Sequence, residues 1–388
     1  MRDVYMYDIQ VIGAGPAGCI AAREAAKRNL KVTVFEEHER IGSQLKCSGL
    51  LSKKGLDGLG IDYRKAILNE IRGAKIYSPS LNEMRVVSPN IKAFVIDRGE
   101  FDRICADEAE EQGVKILLGK RARKTDLKSN LIIGADGALS QVAAWFGFPK
   151  INEFAFCYQA DFQNAHIKES EVVEVFLSNA LFPGFFGWSI PLNESEARVG
   201  LGVFRDVRKK YEFSVKHYFD NFTKKHKIIS KILEDSKQKN VLSAVIPLSQ
   251  RKITAKSKVL LVGDAAGQVK ATTGGGIIFG GNCARIAGAL APTMIEDGNS
   301  SQYEREWRKK FGRDLMLHRR VREMYNSMSD TQIDRYFSIA KKAGAEKFLM
   351  KHGDMDSPTA MIDSAGSEMP LQAFLIKTFS RIFYSEIV

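Results

Sequence analysis

Long apolar runs are missing from this sequence. The longest, such as Val259 to Val262 or Gly276 to Gly280, stop far short of the roughly 18 to 20 residues a membrane span needs, so no transmembrane helix is expected. Between Met1 and the strand-like Asp8-Ile9-Gln10-Val11-Ile12 there is no room for a charged n-region, an apolar h-region and a cleavage site, and the expected address is cytoplasmic. Cysteine is sparse and odd in number. Cys19, Cys47, Cys105, Cys157 and Cys283 are scattered and nowhere spaced Cys-x-x-Cys, which argues against a disulfide framework and a zinc site; no metal is expected. None of the six histidines falls in a motif, so each reads as a surface or structural residue. Internal repeats, low-complexity segments and Pro/Gly/Ser linkers are absent too, and without linkers the domains are expected to interleave.

Acid is in deficit. Lys and Arg number 58 against 46 Asp and Glu, a net charge of +12, and the excess is local: Arg205 to Lys258 holds 15 basic residues against 5 acidic. Arg305 to Arg322 is basic again. Such a face suits anionic lipid or nucleic acid, or is simply solvated. No recognisable RNA- or DNA-binding motif accompanies the charge, so no nucleic-acid partner is expected.

What is present is organised around short buried strands. Residues 8–36 read as strand, glycine turn, a helix from Ala17 to about Arg28, and a second strand Lys31 to Phe35, the start of a βαβ unit. Asn130 to Ala135 and Val259 to Val262 are further strands suited to a parallel sheet. Ile151 to Phe204 alternates and is rich in Phe, Val and Tyr, as an antiparallel sheet would be, and from Gln302 the periodicity is helical. The expected class is α/β. A discontinuous nucleotide-binding domain would take 1–75, 91–148 and 245–300, a β-rich substrate domain 76–90 and 149–244, and a helical region 301–388.

Gly13-Ala14-Gly15-Pro16-Ala17-Gly18 follows the first strand and opens the first helix. Gly13 can make the tight turn, Gly15 lets backbone approach a pyrophosphate and Gly18 permits helix-on-strand packing; with Ala17 they are the expected cofactor-binding residues of this turn. The helix N-terminus then faces negative phosphate. Glu36 ends the second strand, where a carboxylate can accept from an adenosine ribose. Asp136 and Asp264 each sit beside small residues at the end of an apolar strand, where a switch-point ligand binds; either alone also suits a helix cap. With the fingerprint they resemble the flavoprotein monooxygenase and reductase superfamily. That resemblance implies a Rossmann-like FAD-binding domain with an inserted antiparallel sheet. It also implies that Asp264 meets the ribityl chain, that Asp136 lies near the pyrophosphate, and that Arg98 of Asp97-Arg98-Gly99-Glu100-Phe101-Asp102 helps hold FAD. Only one dinucleotide fingerprint occurs, so electrons are expected from transiently docked NAD(P)H or from a ferredoxin-like protein.

The stretch Gly267-Gln268-Val269-Lys270-Ala271-Thr272-Thr273-Gly274-Gly275-Gly276-Ile277 sets three glycines at a helix start, where backbone N–H groups can approach a flavin ring. It resembles the geranylgeranyl reductase family, as does Lys46-Cys47-Ser48-Gly49, similar to that family's Cys-x-x-Gly loop near the flavin. Pro183-Gly184-Phe185-Phe186-Gly187-Trp188-Ser189-Ile190-Pro191 resembles its substrate-pocket motif P-x-x-Y-x-W-x-F-P, with Phe186 in place of Tyr and Ile190 in place of Phe. Gly353-Asp354-Met355-Asp356-Ser357-Pro358 is similar to a family turn. The resemblance implies saturation of carbon–carbon double bonds in geranylgeranyl chains. The substrate would be a polyprenyl lipid, with an archaeal ether lipid favoured, a chlorophyll precursor, or a free diphosphate. Phe185, Phe186, Trp188 and Ile190 would line the chain's tunnel. Cofactor contacts would come from Gly49, Gly275, Gly276 and Ile277, and Cys47 would stand at the substrate side of the flavin as the candidate catalytic residue. A flavin-dependent monooxygenase or halogenase on the same fold is the rival reading, since Trp188-Ser189-Ile190-Pro191 also resembles the halogenase motif W-x-W-x-I-P without its first Trp. Leu371, Phe374, Leu375, Thr378, Phe379, Ile382 and Phe383 follow helical spacing after Pro370, a helix expected to pack on the body, lid the tunnel or lie on an anionic membrane surface.

Overall fold

Runs too short to cross a membrane are the right length for buried strands. Ile9–Ile12, Val32–Phe35, Leu131–Gly134 and Val259–Leu261 are buried at every position, as parallel strands covered on both faces must be. In the structure, a computed structural model that describes residues 6–43 and 47–365, they form a six-stranded sheet. Its order is Ala255–Lys256, Val259–Leu261, Leu131–Gly134, Ile9–Ile12, Val32–Phe35 and Lys115–Leu117, parallel except at the first pair. The chain leaves Ile9–Ile12 toward Val32–Phe35 and returns on its other side at Leu131–Gly134. The crevice between those two directions is where a doubly wound sheet binds its ligand.

Helix Pro16–Ala26 covers this sheet and packs on helix Ile277–Asp297. Their approach is close because Gly288 has no side chain: a Cβ there would lie 2.4 Å from the Ala21 carbonyl oxygen. Helix Ser301–Asn326 completes the same core with the fully buried Tyr303 and Trp307. Their polar tips are satisfied, since the Tyr303 hydroxyl donates to the Leu261 carbonyl at 2.9 Å and Trp307 Nε1 donates to Thr254 Oγ1 at 2.9 Å.

The alternating segment forms the expected antiparallel sheet. Glu153–Gln163 pairs with Glu196–Asp206 over eleven positions within a seven-stranded sheet. The order is Lys237–Pro247, Glu153–Gln163, Glu196–Asp206, Phe186–Pro191, Val172–Leu177, Gly73–Tyr77 and Glu83–Val87. Strand Gly73–Tyr77 runs across the boundary expected at residue 75, and Lys237–Pro247 across the one at 245. One face packs Phe176, Phe182, Leu201, Phe219 and Phe222; the other carries Cys157, Phe185, Trp188 and Ile190. A three-stranded sheet, in the order Leu50–Ser52, Ala93–Ile96 and Ile67–Ile71, is interleaved in sequence with strands of both large sheets.

The helical region continues through Asp330–Lys342, Ala345–His352 and Pro358–Ala365. It is tied to the second sheet by Ser178 Oγ donating to Asp330 at 2.6 Å and Ser80 Oγ donating to Asp334 at 2.6 Å. The helix expected after Pro370 lies outside the described residues, and among those no helix is long and apolar enough to cross a membrane.

Candidate active site

The glycine fingerprint does its work by close approach. Gly13 has φ +101°, and a Cβ there would sit 2.5 Å from the Ala135 carbonyl oxygen; one at Gly18 would sit 1.9 Å from that of Gly13. These glycines, with Ala17 against Gly263, knit helix to strand; Gly13 also lines the cavity, whereas Ala17 and Gly18 are not on its wall. Gly15 differs: it caps helix Pro16–Ala26, lines the cavity, and a Cβ there would meet no atom within 4 Å. Glu36 reaches the same place from the end of its strand, accepting from the Ala14 N–H at 2.9 Å and from His38 N at 3.0 Å.

A cavity of about 1560 Å³ begins here and continues past Arg98, Asp136, Asp264 and Gly274–Ile277 to the second sheet. Asp264 lies at its middle. Its carboxylate has no hydrogen-bond partner among the described residues, and burial pushes its pKa up to about 6, with Arg98 opposing. Asp136 is differently employed. Its oxygens accept from Ser140 Oγ at 2.6 Å, Gln141 N at 2.7 Å and Val142 N at 3.0 Å, so on the cavity wall it also caps helix Gln141–Trp145. Arg98 donates to Asp102 Oδ1 at 2.8 Å; burial works against its charge, but the Asp102 carboxylate and then the Cys47 sulfur outweigh that and hold it ionised.

Arg98 thus stands beside Cys47, which lines the cavity where the glycine-lined cradle meets the second sheet. Gly49 is not on the wall; it turns the loop at φ +79°, with the Ile96 carbonyl where a Cβ would be. Sheet side chains grip this loop from below. Gln159 Nε2 donates to the Cys47 carbonyl at 3.1 Å, and Arg198 donates to the Ser48 carbonyl at 2.8 Å while pairing through two bonds with Asp161. Beyond it the wall is apolar. Phe185 and Phe186 stack at 4.6 Å, Phe186 meets Trp188 at 5.6 Å, and Ile190, Phe156 and Ile246 continue the surface. Cys157, also on this wall, has its thiol pushed up to about 12 by burial, with the Cys47 sulfur adding to it. All four expected pocket residues line the cavity, and Cys47 joins them to the cofactor end.

Gly275, Gly276 and Ile277 also line it, and beside them is a cluster that the sequence reading did not single out. Lys270, buried against Gly275, donates to Asp356 Oδ1 at 2.6 Å and to the Met355 carbonyl at 3.0 Å. Ser52 also donates to Asp356, and Lys54 pairs with Asp354 at 2.8 Å, so the Gly353–Pro358 turn is fastened over the cavity. His318 is bonded to Thr272 Oγ1 at 2.7 Å, with burial and then Lys270 pushing its pKa down to about 4. It is a structural link, neutral at neutral pH.

The family model of the geranylgeranyl reductase catalytic domain matches residues 153–246, and that of an NAD(P)-binding Rossmann-like domain matches 11–72. A digeranylgeranylglycerophospholipid reductase of Methanosarcina acetivorans is 30% identical over 383 residues, covering 90% of this chain and 92% of its own. The chain belongs to the geranylgeranyl reductase family. An uncharacterized protein of Methanocaldococcus jannaschii is 30% identical over 375 residues, covering 92% of this chain and 93% of its own. Among solved structures, a geranylgeranyl bacteriochlorophyll reductase-like protein from Thermoplasma acidophilum has a TM-score of 0.81 at 24% identity, covering 97% of this chain and 99% of that one. A flavin-dependent brominase has a TM-score of 0.72 at 14% identity, covering 97% and 99%. These two show the shared fold alone.

This family member is an FAD-dependent oxidoreductase. The residues present fit that cofactor. Gly15 leaves its cradle open, the N-terminus of Pro16–Ala26 faces it, and Asp264 offers a carboxylate with acceptor capacity to spare.

Proposed function

We propose that the protein saturates the double bonds of geranylgeranyl chains in archaeal-type membrane ether lipids, with reduced FAD supplying the hydride. The observation that carries this reading is the single cavity: a glycine-lined cradle and an apolar channel share one volume, with Cys47 at their junction. Its size of about 1560 Å³ exceeds the roughly 300–1,000 Å³ that holds one drug-sized ligand, which suits a cofactor and a long chain together.

The chain's own residues have distinct tasks in this reading. Gly13, Gly15, Ala17, Gly18, Glu36, Arg98 and Asp136 shape and charge the cofactor end, and Asp264, Gly275, Gly276 and Ile277 approach it from the other strand. Phe185, Phe186, Trp188 and Ile190 exclude water from an alkene that has no polarity of its own to direct attack. Cys47 orients the chain against the cofactor. Phe186 stands where the family motif has Tyr, so no phenol at that position serves as proton source.

Electrons come from outside, from NAD(P)H or a ferredoxin-like protein, because the sequence carries one dinucleotide fingerprint. The lipid is met at an anionic membrane surface. Val207, Tyr211 and Phe213 are 53%, 40% and 41% exposed and flank the basic run Arg208-Lys209-Lys210, with Glu212 between the two aromatics, a mixture a peripheral membrane contact can use.

The test is anaerobic turnover of the FAD-loaded chain reduced with dithionite, offered a geranylgeranyl ether lipid or free geranylgeranyl diphosphate. Expected is a gain of one H₂ per reduced bond on the ether lipid, with Cys47→Ala keeping FAD but changing rate or extent. Oxygen-dependent hydroxylation or halogenation of an aromatic compound, with no lipid reduced, would establish the rival reading.

A further inference from the structure

The apolar channel contains two polar atoms that the fold leaves without partners. Trp188 Nε1 and Gln159 Oε1 are buried and have no hydrogen-bond partner among the described residues. Their side chains are 8% and 5% exposed, and both residues line the cavity. Buried polar groups are nearly always bonded, so two exceptions on one wall call for an explanation.

The two are neighbours by construction. Gln159 on Glu153–Gln163 and Trp188 on Phe186–Pro191 are each paired with Gly200 on the strand between them. A Cβ at Gly200 would come within 2.5 Å of Gln159 Cβ and 2.7 Å of Trp188 Cε2, so both side chains lie over the space this glycine leaves. Gln159 is also fixed at its other end, since its Nε2 donates to the Cys47 carbonyl. Its Oε1 is therefore held in place rather than free to rotate away.

The chemistry of the pair selects its ligand. Indole N–H only donates and an amide oxygen only accepts. A group satisfying both must accept one hydrogen bond and donate another. A hydroxyl does this; an ether oxygen serves Trp188 alone, and a methyl group serves neither. We propose that Trp188 Nε1 and Gln159 Oε1 form a two-point site for one hydroxyl group beside Cys47, supplied by a water kept in the channel or by a hydroxyl of the lipid. The proposal rests on reading the cavity as a prenyl-chain channel.

The experiment uses the FAD-loaded full chain and its Trp188→Phe variant, which keeps an aromatic ring and removes the N–H. Binding of farnesol is compared with that of the hydrocarbon in which hydrogen replaces the hydroxyl, and both proteins are crystallised at a resolution that shows ordered water. If the lipid supplies the hydroxyl, farnesol binds the wild type roughly 2- to 10-fold tighter than the hydrocarbon, and the preference vanishes in Trp188→Phe. If water supplies it, the two ligands bind alike, and an ordered oxygen within hydrogen-bond distance of both atoms is present in the wild type and absent from the variant. The proposal is overturned by a preference that survives in the variant. It is equally overturned if there is neither preference nor ordered oxygen, or if the two side chains bond directly to each other. Should neither ligand bind, the channel reading fails, while the ordered oxygen still decides the hydroxyl site.

Discussion

Replacing Asp264 by Asn tests the cofactor site through its electrostatics. In the folded protein without FAD, burial raises this carboxyl from the ordinary 3.8 to about 6, against the opposing pull of Arg98. A raised carboxyl pKa means that the folded state holds its proton more tightly than the unfolded state. The neutral acid costs nothing below the unfolded value, and stability is lost as pH rises through the window from about 4 to 6. At pH 7 the wild-type apoprotein therefore carries a penalty of up to about 3 kcal/mol that Asp264→Asn lacks. If Asp264 meets the ribityl chain, FAD should reverse the balance: hydroxyl donors there would stabilise the ionised carboxylate and draw its pKa back down, so that FAD binding would release a proton and tighten as pH rises through the same window. The gain is on the order of a hundredfold at most. Urea unfolding of the apoproteins at several pH values gives the first quantity, and quenching of flavin fluorescence on titration gives the second. The variant should be the more stable apoprotein near neutrality and the weaker FAD binder, and both of its profiles should lack the component that Asp264 adds to the wild type between pH 4 and 6. Superimposable profiles for the two proteins between pH 4 and 6.5 would refute the assignment of Asp264 to the ribityl chain.

Gly15→Val should leave the apoprotein folded, because a Cβ there meets no protein atom within 4 Å, yet abolish the flavin absorbance of the purified protein. A folded variant with its full complement of FAD would place the pyrophosphate elsewhere. Gly18→Ala is the contrast, with its Cβ 1.9 Å from the Gly13 carbonyl oxygen, and should fail to fold rather than merely lose FAD; a soluble, flavin-free Gly18→Ala protein with native circular dichroism would contradict that. Arg198→Met strands Asp161 in a site where the two side chains are 9% and 13% exposed, and should cost about 3–5 kcal/mol in urea unfolding, partly restored by adding Asp161→Asn. A loss under about 1 kcal/mol would mean the pair is solvated.

The parts of the site legible in the sequence are those whose chemistry is local. Gly13, Gly15 and Gly18 lie within six consecutive residues and announce the cradle, and four apolar runs of three or four residues announce the strands that carry it. The domain limits were less legible. Gly73–Tyr77 joins Val172–Leu177 by a parallel pairing across about a hundred residues, and nothing within the segment itself specifies that partner. The same reason hid Gln159 and Arg198, whose roles depend on a loop more than a hundred residues earlier, and Lys270, whose partner is Asp356. His318 carried no motif because its bonds are to a threonine and a backbone carbonyl, which any sequence supplies. Asp136 shows the converse: its position after a strand suited both a cofactor contact and a cap, and its carboxylate is seen serving as a cap on the cavity wall.

The pairing of buried charge explains how a basic protein can present an apolar channel. Arg98 is matched by Asp102, Arg198 by Asp161 and Lys270 by Asp356, each within 3 Å. A matched pair at that distance leaves a dipole whose field falls off faster than that of a lone charge, so the channel wall from Phe185 to Ile246 is screened from these cations. The channel then selects by exclusion. A charged headgroup entering it would lose its hydration and find the neighbouring cations already engaged, whereas an isoprenoid chain loses only contact with water, a change worth about 25 cal/mol for each Å² buried. On the proposed reading the headgroup would stay at the surface, where Lys209 and Lys210 are exposed, Arg208 being itself paired with Asp206 at 2.6 Å. If the substrate is a prenyl lipid, as proposed, this paired interior favours its apolar chain over its charged headgroup beside Cys47.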